Sequence, residues 1–173
     1  MRIIGWVVLM LAGGVLVGCT AQSKMVSLRP LDTDLRPYTS MVVSVEPLVT
    51  EDVEKEIAAL ESLIVAKVEE VGVFEDVQVG SAEDSTEGTL LVKVTITEIK
   101  KVSEGQRFWL GAFAGRATMT TEVLFMVAVS RQTLGSYSIT GESGGTGFSG
   151  GTGHAIDKTA TGIADVIAKN YRR

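Results

Sequence analysis

An α+β two-layer sandwich is the fold that this sequence of 173 residues predicts. Its sheet is mixed, of about five strands, with two helices packed on one face. Three features lead there. Two segments each carry one apolar stripe at helical spacing, and such a stripe must be buried against another layer. Further segments show the two-residue alternation or β-branched clustering of strands. The order along the chain is β-α-β-β-β-β-α, and the helix between the first two strands implies that those two run parallel.

Met41-Val42-Val43-Ser44-Val45 reads as the first strand. Thr50 stands where a helix cap is expected, and Glu51, Asp52 and Glu54 follow at the positive end of the helix dipole. Val53, Ile57, Leu60, Ile64 and Val68 then recur at steps of 4, 3, 4 and 4, an amphipathic stripe. Gly72 supplies the left-handed residue that ends the helix. Val73 to Val79 is the second strand, and Gly80 to Gly88 a polar loop.

Leu90, Val92, Val94 and Ile96 alternate with Leu91, Lys93, Thr95 and Thr97 in a half-exposed strand. From Ala117 to Ser130 the odd set Met119, Thr121, Val123, Phe125 and Val127 alternates with Thr120, Glu122, Leu124, Met126 and Ala128 in a long strand. Arg131 to Gly135 is a turn, and Ser136 to Gly141 folds back as a hairpin. Gly144 to Gly153 is a flexible loop. Ile156, Ala160, Ile163 and Ile167 mark the closing helix, with Lys169, Arg172 and Arg173 at its negative end. Upstream of all this, from Ala21 to about Pro37, Lys24, Arg29-Pro30, Asp32, Asp34 and Pro37 break any period, so residues 19–38 read as a tether and 39–173 as a single domain.

Composition narrows the function classes. One histidine and one cysteine cannot build a zinc site, and no intramolecular disulfide can form. The net charge of -5 argues against a nucleic-acid binder, which carries a basic patch. No metal or cofactor is expected.

The amino terminus is more specific. Met1-Arg2 give a positive start, and Ile3 to Gly18 carry no charge. The strongly apolar core of that run is shorter than the about 20 residues that span a bilayer, and it has the layout of a secretory signal peptide. Leu16-Val17-Gly18-Cys19 resembles the lipobox of bacterial lipoproteins, in which the cysteine thiol receives a diacylglyceryl group and a signal peptidase cuts before it. The resemblance implies removal of residues 1–18, recognition through Leu16, Val17 and Gly18, and acylation of Cys19, the only cysteine in the chain. Two or three acyl chains make such attachment stable, at about 0.8 kcal/mol per buried methylene. Thr20 is not the aspartate that favours inner-membrane retention in enteric-type lipoproteins, which points to the periplasmic face of an outer membrane.

A second resemblance covers roughly residues 40 to 171. Val94-Thr95-Ile96-Thr97-Glu98, Phe108-Trp109-Leu110-Gly111-Ala112-Phe113-Ala114-Gly115-Arg116-Ala117, the long strand after it, the glycine-rich segment and Ala160-Thr161-Gly162-Ile163-Ala164-Asp165-Val166-Ile167 resemble the domain of unknown function 4410. Members are bacterial and often lipoproteins. The resemblance implies the fold and the envelope location, and no catalytic residue.

Several constellations remain. Gly145-Thr146-Gly147-Phe148-Ser149-Gly150 matches G-x-G-x-x-G, but no strand follows the last helix, so a dinucleotide site is excluded and a connecting loop is the plain reading. Its sharper form is an anion at the amino end of that helix, with Ser149, Thr152 and His154 as donors, in a small-ligand-binding lipoprotein using loop 141–153. His154 near Ser149 and Asp157 suggests a triad, and Glu98, Glu104, Glu122 and Glu142 suggest paired carboxylates, which would make a cell-wall hydrolase; no nucleophile elbow supports it. Phe108, Trp109, Leu110 and Phe113 are either core or an exposed lip that meets a partner or the membrane, flanked by Arg107 and Arg116. The expectation is a lipid-anchored, non-catalytic envelope protein, an accessory or interaction subunit with a protein partner in the envelope, attached to the membrane by its lipid.

Overall fold

The computed structural model describes residues 22–81, 83, 86–102, 115–144 and 151–171. Six strands and two helices follow in the order β1 (Gln22–Arg29), β2 (Ser40–Pro47), α1 (Glu54–Val71), β3 (Asp76–Val79), β4 (Thr89–Lys100), β5 (Thr118–Val127), β6 (Thr133–Glu142) and α2 (Thr152–Tyr171). The strands form one mixed sheet ordered β1-β6-β5-β4-β2-β3. β2 is parallel to both β3 and β4, and the remaining pairs are antiparallel.

One core holds the layers together. The odd-numbered residues Met41, Val43 and Val45 of β2, Met119, Val123 and Phe125 of β5, and Tyr137 and Ile139 of β6 share it with the even-numbered Leu90, Val92, Val94 and Ile96 of β4. Leu60, Ile64 and Val68 of α1 and Ile156, Ala160, Ile163 and Ile167 of α2 close over them. Both helices therefore lie on the same face, as the two stripes require. Among the described residues the opposite face holds only a small apolar cluster of Val42, Leu91 and Ala128, with Met126 beside it.

α2 lies close across β6 because two glycines let it. A Cβ at Gly141 would strike the Ala155 carbonyl oxygen and Thr159, and one at Gly162 would stand 2.8 Å from Ile139 Cγ2. Lys67 on α1 meets Asp157 on α2 at 2.8 Å and joins the two helices. Burial works against the charge on Asp157, but the bond and charge of Lys67, with Lys158 beside it, outweigh burial and hold the carboxyl below its usual range.

Several local expectations change, among them that β5 stops at Val127 and that β6 starts at Thr133, inside the stretch read as a turn. The sheet has six strands, and the additional one is β1, within the stretch read as a tether. Its described side chains are exposed, so no buried face imprints an alternation on its sequence. The same stretch also supplies Leu31 and Leu35, which are buried in the core. The Tyr137 hydroxyl accepts a hydrogen bond from Leu31 N–H at 3.1 Å and holds this connection in place. Thr50 does not cap α1: the cap position is Val53, and the Asp52 carboxylate reaches Glu54 N–H at 3.4 Å instead. β3 is shorter than expected and begins at Asp76. Finally, α2 begins at Thr152, within the segment read as a flexible loop. Gly72 does end α1 in the left-handed conformation, at φ 68°.

Candidate functional site

Register places the ends of many elements at one pole of the sheet. Gln22 of β1 pairs with Glu142 of β6, Glu142 with Thr118 of β5, and Thr118 with Lys100 of β4. The parallel β2 ends towards the same pole, with Pro47 opposite Ile96. Both helices begin there. Lys101 Nζ donates to Asp52 O at 2.6 Å just before α1, and Val102 N–H donates to Thr152 Oγ1 at 3.2 Å at the start of α2.

This pole gathers segments that are remote in sequence. Residues 103–114 follow Val102 and rejoin the described chain at Gly115; residues 145–150 follow Gly144 and rejoin it at Gly151. Ala117 and Ser143 bind each other twice, Ala117 N–H to Ser143 Oγ at 3.0 Å and Ser143 N–H to Ala117 O at 2.9 Å, so both segments are attached to a fixed frame. Cys19 precedes Gln22 by three positions in the chain, and Gln22 stands at this pole. Leu16, Val17, Gly18, Cys19, Glu104, Arg107, Phe108, Trp109, Leu110, Phe113 and Ser149 themselves lie outside the described residues.

The remaining predicted residues are placed. Thr152 is committed to the Val102 amide. His154 is exposed, and its amide N–H bonds Gly151 O at 3.1 Å. Asp157, imagined beside it as a triad member, has its carboxylate on Lys67. Glu98 and Glu122 are exposed on the sheet and make no pair with each other.

Glu142 is engaged, in a cluster that has no local signature in the sequence. It joins Lys24 of β1 at 2.8 Å and Arg116, just before β5, at 3.5 Å. The Lys24 hydrogen bond holds the Glu142 carboxyl below its ordinary range, burial opposes it, and the Lys24 and Arg116 charges add to the lowering. A lowered folded pKa means the contribution is present above the ordinary carboxylate value of about 4.3 and is lost as pH falls through the lowered one. Glu142→Gln is expected to remove about 1 kcal/mol at neutral pH, because both cations stand largely in solvent, and to flatten the acid limb of the stability profile. Urea unfolding of both forms between neutral and acid pH checks this; identical acid limbs would contradict it.

β1 presents the other notable surface. Met25, Val26 and Leu28 are 41%, 59% and 57% exposed, and among the described residues only the β6 side of the strand is paired. The far edge of the sheet is β3, where Val79 is 49% exposed. A shallow open depression of 490 Å³ on the helix-free face has Leu91, Leu124 and Met126 as its apolar lining, and the Lys93 ammonium there is bound to Glu46 at 2.8 Å. Among the described residues no group of three His, Cys, Asp or Glu is placed to hold a metal ion, and no helix is long and apolar enough to cross a membrane.

Residues 33–147 match the family described as Domain of unknown function (DUF4410). The chain belongs to that family. The match spans β2 to β6 with α1, while β1 and α2 lie beyond it. No curated protein matches this DUF4410 chain. Among solved structures it is similar to a dodecamer of a PelC point variant from Paraburkholderia phytofirmans, at 14% identity and a TM-score of 0.53, covering 88% of this chain and 98% of that one. A second structure, titled PelC dodecamer and from the same organism, gives 16% identity, a TM-score of 0.53, and coverage of 89% and 99%. At such identities the likeness is one of fold. It takes in nearly the whole PelC chain and most of this one.

Proposed function

We propose that this DUF4410 protein is a lipid-anchored component of the cell envelope that acts through protein contacts and not through chemistry, as an accessory subunit of an envelope complex. One observation carries the reading: Gln22, three residues after Cys19, is already part of the sheet. Three residues reach about 10 Å at most. A diacylglyceryl group on Cys19 would therefore hold the domain flush against its membrane, with the pole described above facing the lipid. The expected side is the periplasmic face of the outer membrane. The exposed apolar edge at β1 supports a role in contact, since unpaired edges template pairing with another chain. The likeness to PelC supports it too, because the structures of that protein are titled dodecamers.

The test is photo-cross-linking in living cells on the full chain, with the probe at Val26 on β1 and, as control, at Glu69 on the exposed side of α1. A discrete protein adduct at 26 and none at 69 is the expected result. Equal labelling at both sites, or none at 26 in a folded protein, would contradict a contact role for this edge.

A further inference from the structure

We propose that the outer edge of β1 pairs antiparallel with the outer edge of β3 in a second copy of this chain, head to tail, so that every copy turns its lipid anchor to the same side. The proposal deepens the contact role read above and rests on the anchor at Cys19.

Strand directions come first. β1 is antiparallel to β6, β6 to β5, and β5 to β4, while β3 runs with β2 and β4. Copies standing side by side with their poles aligned would thus bring β1 beside β3 of the next copy in opposite directions. That is the pairing in which interstrand hydrogen bonds run straight across.

Charge and faces then match. β1 carries Lys24 and Arg29 and no acid, while β3 is entered through Glu75 and Asp76 and carries no base. Arg29 lies at the end of β1 remote from the anchor, and Asp76 opens β3 at that same end, opposite Ser40. β1 has an irregularity between Ser27 and Arg29, which pair with Tyr137 and Ser136. If the same irregularity is kept on the outer side, Arg29 meets the partner's Asp76, and Met25 meets the partner's Val79. Met25 is aligned with Ile139 and Val79 with Val43, both core residues, so both side chains face the helix layer. The two half-exposed apolar side chains at opposite edges of one copy would cover each other between copies.

The anchor excludes the simpler alternative. A two-fold pairing of β1 with β1 makes the two strands antiparallel and places the two Cys19 residues at opposite ends of the joint sheet. An eight-residue strand is about 27 Å long. The three residue steps from Cys19 to Gln22 reach about 10 Å, so both lipids could not enter one membrane. Head-to-tail pairing repeats the same orientation in each copy, and such heterologous contacts form a ring when the rotation closes. β3 pairs over only four residues, and confinement to a membrane raises the effective concentration that such a short contact needs. The experiment accordingly uses the full-length chain in its own membrane.

The variants are Met25→Cys, Val79→Cys and the two together, oxidised in intact cells and run without reductant. Within one copy the two positions sit on opposite edges of six strands, about 24 Å apart, too far for an internal bond. The double variant is expected to give a ladder of covalent multimers, and either single variant none. In that background Arg29→Asp should abolish the ladder, and Arg29→Asp with Asp76→Arg should restore it. Dimers from Met25→Cys alone would overturn the proposal, since they require like edges to meet. So would an absent ladder in a folded double variant. If that absence came with a discrete adduct to another protein at Val26, the contact role would stand and the self-assembly would fall.

Discussion

Phe125→Ala is expected to cost about 3–5 kcal/mol, a large fraction of the about 5–15 kcal/mol that holds an ordinary domain together. Phe125 is fully buried at the centre of the sheet, on β5. Its ring meets Tyr137 edge-on, with centroids 5.9 Å apart and planes at 88°. Tyr137 in turn accepts the Leu31 N–H, and Leu31 is itself buried in the connection that crosses from β1 to β2. Truncating Phe125 removes the largest fully buried side chain among the described residues and also the wall against which Tyr137 is set. Tyr137→Phe separates the two effects. It keeps the ring and leaves the Leu31 amide without its partner, a loss of about 1–3 kcal/mol. Equilibrium urea unfolding on the Cys19→Ala background measures both. A loss below about 1 kcal/mol for Phe125→Ala would mean that the site collapses around the gap and that the layers are not locked there.

Gly141→Ala and Gly153→Ala are expected to act in opposite directions. At Gly141 the new Cβ meets the Ala155 carbonyl oxygen and Thr159 of α2. Thr159 cannot turn aside freely, because its hydroxyl donates to Ala155 O at 3.0 Å and lies 3.4 Å from Met119 O. The helix must lift from β6, and overpacking of this kind costs about 1–3 kcal/mol or more. At Gly153, in the first turn of α2, nothing stands within 4 Å of the new Cβ. Alanine there loses less chain entropy on folding and is expected to gain up to about 1 kcal/mol. For a chain of this length about 1 kcal/mol moves Tm by about 2–4 °C, so thermal unfolding resolves the sign of each. Destabilisation at 153 equal to that at 141 would show that the close approach of α2 to β6 is not what Gly141 serves.

How much of this was legible follows from what each element buries. β2, β4, β5 and both helices each turn one face to the core, and that face writes a period into the sequence that identifies it. β1 fully buries neither face, so its sequence shows no pattern and looks like a tether. Its strand character depends on β6, which lies more than a hundred residues away in the chain. The start of α1 was misplaced for a local reason: several residues from Thr50 to Val53 compete for the cap, and sequence alone does not weigh them. Of the proposed site, the lipobox resemblance of Leu16 to Cys19 is a matter of sequence alone, since four adjacent residues carry it. The Lys24–Glu142–Arg116 cluster is not, since its members are 118 and 26 residues apart and meet only through strand register. The same register explains why the stretches that carry the cysteine, the aromatic segment and the glycine segment, unrelated in sequence, are all attached at one pole.

Everything proposed about location and contact depends on Cys19 carrying a lipid that sets this pole against a membrane. The most direct test is the intact mass of the full-length gene product extracted from membranes, compared with Cys19→Ala. The expected product is a chain that begins at residue 19 and is heavier than its peptide by a diacylglyceryl group, with or without a further acyl chain. Cys19→Ala is expected to lack that mass. An unmodified thiol at residue 19, or an amino terminus elsewhere on a membrane-bound chain, would contradict it.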